Sequence, residues 1–207
     1  MQRQDNERVT VGVVILAAGA SRRMGRPKLL LPWGETSVIG HLLQQWTRLG
    51  AAQIAIVCAA EVGPLTTELD RLSFPGANRI VNPTPENGMF SSIQCAARWR
   101  GWNPEITHWV ITLGDQPHLQ DATLRKLLDF GTLHPDNICQ PMRADRRKHP
   151  VLLPGQLFEK LRETSAADLK IFLAQHAERL TGFESDDSGL DIDIDTPEDY
   201  MRALAIR

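Results

Sequence analysis

The chain predicts an α/β fold, three layers with helices on both faces of a mostly parallel sheet, and three features predict it. Short apolar runs recur at 9–16, 53–60, 79–81, 109–113 and 138–141, and between them lie stretches with helical spacing. Strands that alternate with helices in this way are joined by right-handed crossovers and run parallel. The first run, Val11, Val13, Val14, Ile15 and Leu16, is continuous rather than alternating, as in a strand covered on both faces. Finally, 207 residues with 42% hydrophobic content suffice for one good core, so a single domain over 1–207 is expected, with the polar residues 1–8 as a disordered tail.

Charge and composition remove several function classes. A formal net charge of −2 gives no global basic field for nucleic acid, so any anion site must be local and the partner small. No apolar run approaches the roughly 20 residues of a membrane span and Met1 to Arg8 has no apolar signal core, so a cytoplasmic protein is expected. Cys58, Cys95 and Cys139 are odd in number, far apart and set among apolar residues, which suggests neither a disulfide framework nor a zinc site.

Taken in order, the first strand leads into Leu16, Ala17, Ala18, Gly19, Ala20 and Ser21, then Arg22, Arg23, Met24, Gly25, Arg26, Pro27 and Lys28. Small residues at 17–21 let successive backbone amides approach a polyanion, and such a nest binds phosphate. The arginines can grip phosphate oxygens bidentately, while Lys28 supplies a compact point charge. Residues 36–49 carry the helical stripe Val38, Ile39, Leu42, Leu43, Trp46 and Leu49, closed by Gly50. His41 beside that stripe is read as structural. A second strand at 53–60, a helix near 64–72 and a short strand at 79–81 follow. The turn-rich segment from Asn82 to Ser92 then opens a helix to about Trp99, which Ser91 or Ser92 would cap.

The strand at 109–113 ends in Gly114, Asp115, Gln116 and Pro117. A buried strand has little use for a carboxylate at its tip unless something cationic meets it, so Asp115 is the first candidate ligand for Mg²⁺. A helix at 121–130 and a strand at 138–141 lead to the basic stretch Arg143 to Lys148 and His149. Another amphipathic helix follows Asp168. Near the end, Leu190, Ile192 and Ile194 alternate with acids in strand register, placing Asp191, Asp193 and Asp195 on one face. The last helix begins at Thr196-Pro197, with Thr196 or Asp195 as cap.

The string from Leu16 to Lys28 resembles the signature Leu-Ala-Ala-Gly-x-Ser-x-Arg-Met-Gly-x-x-Lys of nucleotidyltransferases, and within them the molybdenum cofactor cytidylyltransferases of the MobA-like group. The resemblance extends from Val9 to about Ala203. It implies a nucleoside-diphosphosugar transferase-like, Rossmann-like fold. It also implies nucleotide contacts from Leu16, Ala17, Ala18, Gly19, Ala20 and Ser21, and from Asn82, Gly88, Met89, Ser92 and Gly114. Arg23 and Lys28 would be catalytic, and His149 and Arg147 would hold the acceptor. Asp195, in Asp-x-Asp-Thr-Pro-Glu-Asp, would join Asp115 on Mg²⁺. Ala18 points to CTP, since the guanylyltransferases resemble Leu-Ala-Gly-Gly there. The implied reaction transfers CMP to a phosphorylated acceptor such as molybdopterin and releases pyrophosphate. Two departures stand out: Lys148 replaces a glycine before His-Pro-Val, and only Asp168 remains of a Gly-Asp-x-Gly pattern. These leave open a sugar- or polyol-phosphate acceptor, adenylyl or guanylyl transfer, and a non-catalytic carrier of nucleotide or molybdopterin.

Overall fold

The computed structural model describes residues 9–19, 21–59 and 62–207; the expected tail at 1–8, Ala20 in the first loop and Ala60 at the end of the second strand run lie outside them. The chain opens with β1 (Val11–Leu16), the two-residue hairpin of β2 (Pro32–Trp33) and β3 (Thr36–Ser37), and helix α1 (Val38–Arg48). Next come β4 (Gln53–Cys58), α2 (Pro64–Arg71), β5 (Arg79–Val81), α3 (Met89–Arg98) and β6 (His108–Leu113). Helix α4 (Asp121–Leu133) then precedes β7 (Ile138–Arg143), β8 (Arg146–Arg147) and β9 (Val151–Pro154). Helices α5 (Gly155–Lys160) and α6 (Leu169–Ala174), strand β10 (Leu180–Glu184) and helix α7 (Pro197–Ala205) complete it.

The strand order is β10-β7-β9-β6-β1-β4-β5, with β8 paired to β7. β1 lies parallel to both β4 and β6, β4 to β5, and β7 to β10, whereas β9 runs antiparallel between β6 and β7. The sheet is thus mostly parallel, as expected. The continuous apolar character of β1 has its reason in two separate cores. Val13 and Ile15 pack with Ile39, Leu42, Trp46, Leu124 and Ala203 from α1, α4 and α7. Val14 packs on the other face with Phe90, Ile93, Phe158 and Phe172 from α3, α5 and α6. Water reaches neither side of the strand, so no polar alternation is selected. No helix among the described residues is long and apolar enough to cross a membrane.

Local chemistry sets the helix starts. Ser37 Oγ accepts from Gly40 N at 3.2 Å and caps α1. α3 begins differently: Gly88 is its N-cap at φ +86°, with no side-chain cap, so neither Ser91 nor Ser92 has the capping role expected from sequence. α7 carries a reciprocal capping box between Thr196 and Asp199. That assigns the cap to Thr196 and releases Asp195.

The region 186–195 departs from expectation. Leu190, Ile192 and Ile194 are buried as their alternation required, but residues Ser188–Asp191 form a 3₁₀ turn and no strand follows. The reason is the partner. This segment is bonded to the chain leaving β6, not to a strand: Ile194 N donates to Asp115 O at 3.1 Å, and Gln116 Nε2 donates to Asp193 Oδ1 at 2.9 Å. His118 Nε2 lies 3.0 Å from both Gly189 O and Ile192 O. Gln120 N donates to Asp187 Oδ2 at 3.0 Å, and Asp187 is 4% exposed. Two carbonyls can only accept, so the proton of the neutral His118 ring resides on Nε2.

Burial holds the pKa of His108 and of His118 below the ordinary histidine value, partly offset by their backbone hydrogen bonds. These rings are neutral in the fold, whereas in the unfolded chain they take up protons below a pH of about 6.5. The unfolded state therefore binds more protons in acid, and stability is lost as pH falls below that value. Urea denaturation at pH 8 and 5.5 is expected to show a less stable protein at the lower pH. His118→Gln should lose less between the two values than wild type; equal losses would remove His118 as a contributor.

Candidate functional site

The site forms where β1 and β6 end. These strands are parallel neighbours with Leu16 opposite Leu113, so the chains leaving them emerge side by side. Gly114 N donates to Leu16 O at 3.1 Å, and a Cβ at Gly114 would stand 2.7 Å from that oxygen and 3.0 Å from Leu29 Cδ2. Only glycine fits there. The loop after β1 is anchored by Met24 and Leu29, which are buried in the core, while Ala18 is partly exposed and Gly19 exposed. Ala17 N donates to Val57 O at 3.0 Å; the amides of Ala18 and Gly19 meet no acceptor among the described residues. Ser21, at φ +50°, accepts from Lys28 N through its hydroxyl at 3.2 Å and so closes the loop onto the lysine.

Lys28 is the centre of a charge cluster. Its Nζ lies 2.5 Å from Asp115 Oδ2 and 3.1 Å from Asp195 Oδ1. Arg23 reaches Asp195 Oδ2 at 2.6 Å from a largely exposed position. Burial alone would lower the lysine pKa, but the neighbouring Asp115 and Asp195 carboxylates outweigh it and hold the ammonium above its ordinary value. Two acids eighty positions apart in sequence therefore meet on one cation. Among the described residues no group of three or more His, Cys, Asp or Glu side chains forms a protein-only metal cage.

A cleft of about 770 Å³ opens at the Lys28 and Asp115 side of this cluster, and Asp195 does not line it. Its lining includes Leu16, Ala17, Ala18 and Gly19 from the first loop, Lys28, Gly114 and Asp115 beside them, and Gly88, Met89 and Ser92 at the start of α3. Asn82 does not line it. That residue is fully buried and organises the α3 entrance instead, donating from Nδ2 to Ser91 Oγ at 2.8 Å and Ser92 Oγ at 2.9 Å while Oδ1 accepts from Thr84 N. Arg23 points to Asp195, and Arg22 is the arginine that lines the cleft. Ala20 lies outside the described residues.

A second cavity of about 690 Å³ shares Met89 with the first. Arg146, Arg147, His149 and Lys170 border it, and Val151, Leu169 and Leu173 supply an apolar wall. Burial lowers the His149 pKa, against a hydrogen bond to the Ile111 backbone and the Asp115 charge, which raise it. Lys148, the departure noted in the sequence, is neutralised by Asp191 at 2.6 Å, and Arg143 pairs with the same acid at 2.8 Å. Sequence reasoning did not single out Gln140, which lines this cavity at 4% exposure with Nε2 donating to Lys148 O at 3.0 Å. A glutamine inside an apolar strand run gives no signal without the fold. Asp168 also lines the cavity, and it caps α6 by accepting from Ile171 N at 2.7 Å.

Gly114→Ala is expected to force β1 and β6 apart, because the obstacle is a backbone carbonyl, and to cost about 1–3 kcal/mol of stability in urea denaturation. A change under about 0.5 kcal/mol would show that the close approach is not required.

The sequence matches the family described as MobA-like NTP transferase domain over residues 13–180. Molybdenum cofactor cytidylyltransferase of Escherichia coli (strain K12) is 24% identical over 196 residues, covering 93% of this chain and 95% of that protein. Nicotine blue oxidoreductase of Paenarthrobacter nicotinovorans is 27% identical over 212 residues, covering 97% and 99%. Among solved structures, Rv0371c of Mycobacterium tuberculosis H37Rv in complex with manganese is similar with a TM-score of 0.66 and 26% identity, over 95% of this chain and 99% of that one. With a family match spanning well over half of the sequence, the chain belongs to the MobA-like NTP transferase family.

Proposed function

We propose that this protein is a nucleotidyltransferase that moves CMP from CTP to a phosphorylated acceptor of the molybdopterin kind, releasing pyrophosphate. The observation that carries the reading is the placement of Lys28 between Asp115 and Asp195 beneath a cleft floored by Ala17, Ala18 and Gly19. In this reading an oxygen of the acceptor phosphate attacks the α-phosphorus of the triphosphate in line, and the bond to the bridging oxygen of the β-phosphate breaks. A phosphate monoester with a second pKa of about 6 is already largely dianionic near neutrality, so no general base is needed. Positioning and charge neutralisation then supply the catalysis.

The geometry supports the following roles. The amides of Ala18 and Gly19, with Ser21, Arg22 and Arg23, hold the β- and γ-phosphates. Lys28 stabilises charge on the α-phosphate and the departing pyrophosphate. Asp115 and Asp195 are a donor set already paired with positive charge, which suits Mg²⁺; such ions are commonly held by one or two carboxylates together with substrate phosphates. The manganese complex of Rv0371c is consistent with a divalent cation here. When bound, the ion neutralises phosphate charge. Gly88, Met89 and Ser92 contact the nucleotide from the α3 side, and Ala18 favours the pyrimidine base. His149 and Arg147 hold the acceptor phosphate in the second cavity, whose apolar wall suits a flat acceptor better than a polyol.

The likeness to an oxidoreductase over nearly the whole chain supports a second reading, redox turnover in the same cleft. Pyrophosphate release from CTP, GTP, ATP and UTP, each with molybdopterin and with sugar and polyol phosphates, separates them. Turnover of CTP far above GTP is expected. Consumption of a hydride donor with no pyrophosphate release under any pairing would replace the transferase reading.

Lys28→Ala is expected to lower kcat by about 10²–10³ with the fold intact by circular dichroism. Asp115→Asn and Asp195→Asn should each raise the Mg²⁺ concentration giving half-maximal rate, and the double variant should be far from additive. An unchanged Mg²⁺ dependence in Asp195→Asn would remove that residue from the site.

A further inference from the structure

We infer that the Lys28 ammonium is the resident counter-cation of the Asp115–Asp195 pair in the free protein, and that it must leave the carboxylates before a divalent cation can take them. The inference rests on the nucleotidyl-transfer reading above and adds an order to it: the nucleotide phosphates draw Lys28 away, and the same side-chain movement opens the carboxylates.

Three of the four carboxylate oxygens are engaged by cationic side chains. Lys28 Nζ holds Asp115 Oδ2 and Asp195 Oδ1, and Arg23 holds Asp195 Oδ2. A divalent cation meeting the free protein would therefore find Asp115 Oδ1 as the one oxygen of the pair without a cationic partner among the described residues, with an ammonium beside it. Two positive charges within hydrogen-bonding distance of the same oxygens exclude each other. Lys28 is the effective barrier because its side chain is 13% exposed and that of Asp115 16%, whereas Arg23 is 72% exposed and screened by water.

The departure of Lys28 is open to a side-chain motion alone. Its backbone is fixed, with the amide donating to Ser21 Oγ and the carbonyl accepting from Leu31 N at 3.2 Å. Its four-carbon stem remains free to turn, and the ammonium and the phosphate loop line the same cleft. A triphosphate seated on Ala18 and Gly19 offers the ammonium an alternative anion. Linkage then requires that nucleotide raise the affinity for the cation, and cation the affinity for nucleotide, by the same factor.

The test is Mn²⁺ binding to the nucleotide-free protein, read by electron paramagnetic resonance of the free ion, which requires no turnover. Lys28→Met, with Lys28→Gln as a second variant should the first fail to fold, is expected to bind Mn²⁺ at least about tenfold more tightly than wild type. Arg23→Met should change the affinity by less than about threefold. A non-hydrolysable CTP analogue should strengthen Mn²⁺ binding in wild type by a larger factor than in the Lys28 variants. Equal or weaker Mn²⁺ binding by the Lys28 variants overturns the inference; if wild type still releases pyrophosphate from CTP, the transferase reading survives it. Tight Mn²⁺ binding that persists when Asp115→Asn and Asp195→Asn are added to Lys28→Met overturns the inference together with the two-carboxylate metal site.

Discussion

Bringing Asp115 and Asp195 together on one ammonium is the constraint around which the rest of the molecule is arranged. Two carboxylates at close range repel, and a half-buried lysine loses hydration. Ion pairs of this kind seldom stabilise a fold on balance, because desolvation offsets most of the attraction. This one stands at the edge of a cleft, with Thr196 capping α7 so that Asp195 is not needed there, and such charge clusters in clefts mark candidate functional sites. What fixes the pair is the lacing of residues 115–120 to 187–195 through Ile194 N, Gln116, His118 and Asp187. Each of those bonds spans more than sixty positions of sequence, so the site exists only when the whole sheet has formed.

Sheet direction decides what else reaches the cluster. β1 and β6 are parallel neighbours, so the loop after β1 and the Gly114-Asp115 turn emerge at the same edge, where ligands of open parallel sheets bind. β9 runs the other way, and its first residue, Val151, lies opposite Ile111 near the end of β6. The reversal has a consequence for function: the residues that precede β9, Lys148 and His149, are delivered to that same edge. A parallel strand in this place would have presented them at the opposite end of the sheet. One antiparallel strand therefore sets the second cavity beside the first.

Much of this was legible in the sequence, and the limits have physical causes. β1, β4, β5, β6 and the major helices are strong signals because burial on both sheet faces leaves long apolar runs and helical stripes. The loop from Ala17 to Lys28 and the carboxylate after β6 were legible because small residues, cations and a lone acid at strand ends have few structural uses. The alternation at 190, 192 and 194 correctly foretold burial, yet not its form, since side-chain periodicity says nothing about which backbone the segment bonds to. β2, β3 and β8 have only two residues each, and β10 (Leu180–Glu184) is an edge strand, so they fall below what periodicity can resolve. The rotation of Arg23 toward Asp195, leaving Arg22 on the cleft, depends on loop geometry that side-chain chemistry alone leaves undecided.

Charge placement supplies a further reason to connect the two cavities. The chain is slightly acidic overall, so its net field does not attract anions. What varies locally is how the cations are paired. Arg143 and Lys148 share the single carboxylate of Asp191, and Lys28 and Arg23 pair with Asp115 and Asp195. Arg146 and Arg147 meet no carboxylate among the described residues and stand exposed at the rim of the second cavity. The two cavities meet at Met89, a flexible and half-exposed apolar side chain. A molecule seated across that junction would present an anionic group to unpaired arginines on one side and lie within reach of the Lys28 cluster on the other. Arg146 and Arg147 are thus left unpaired at one end of this double cavity, while Lys28 at the other end stays paired with carboxylates.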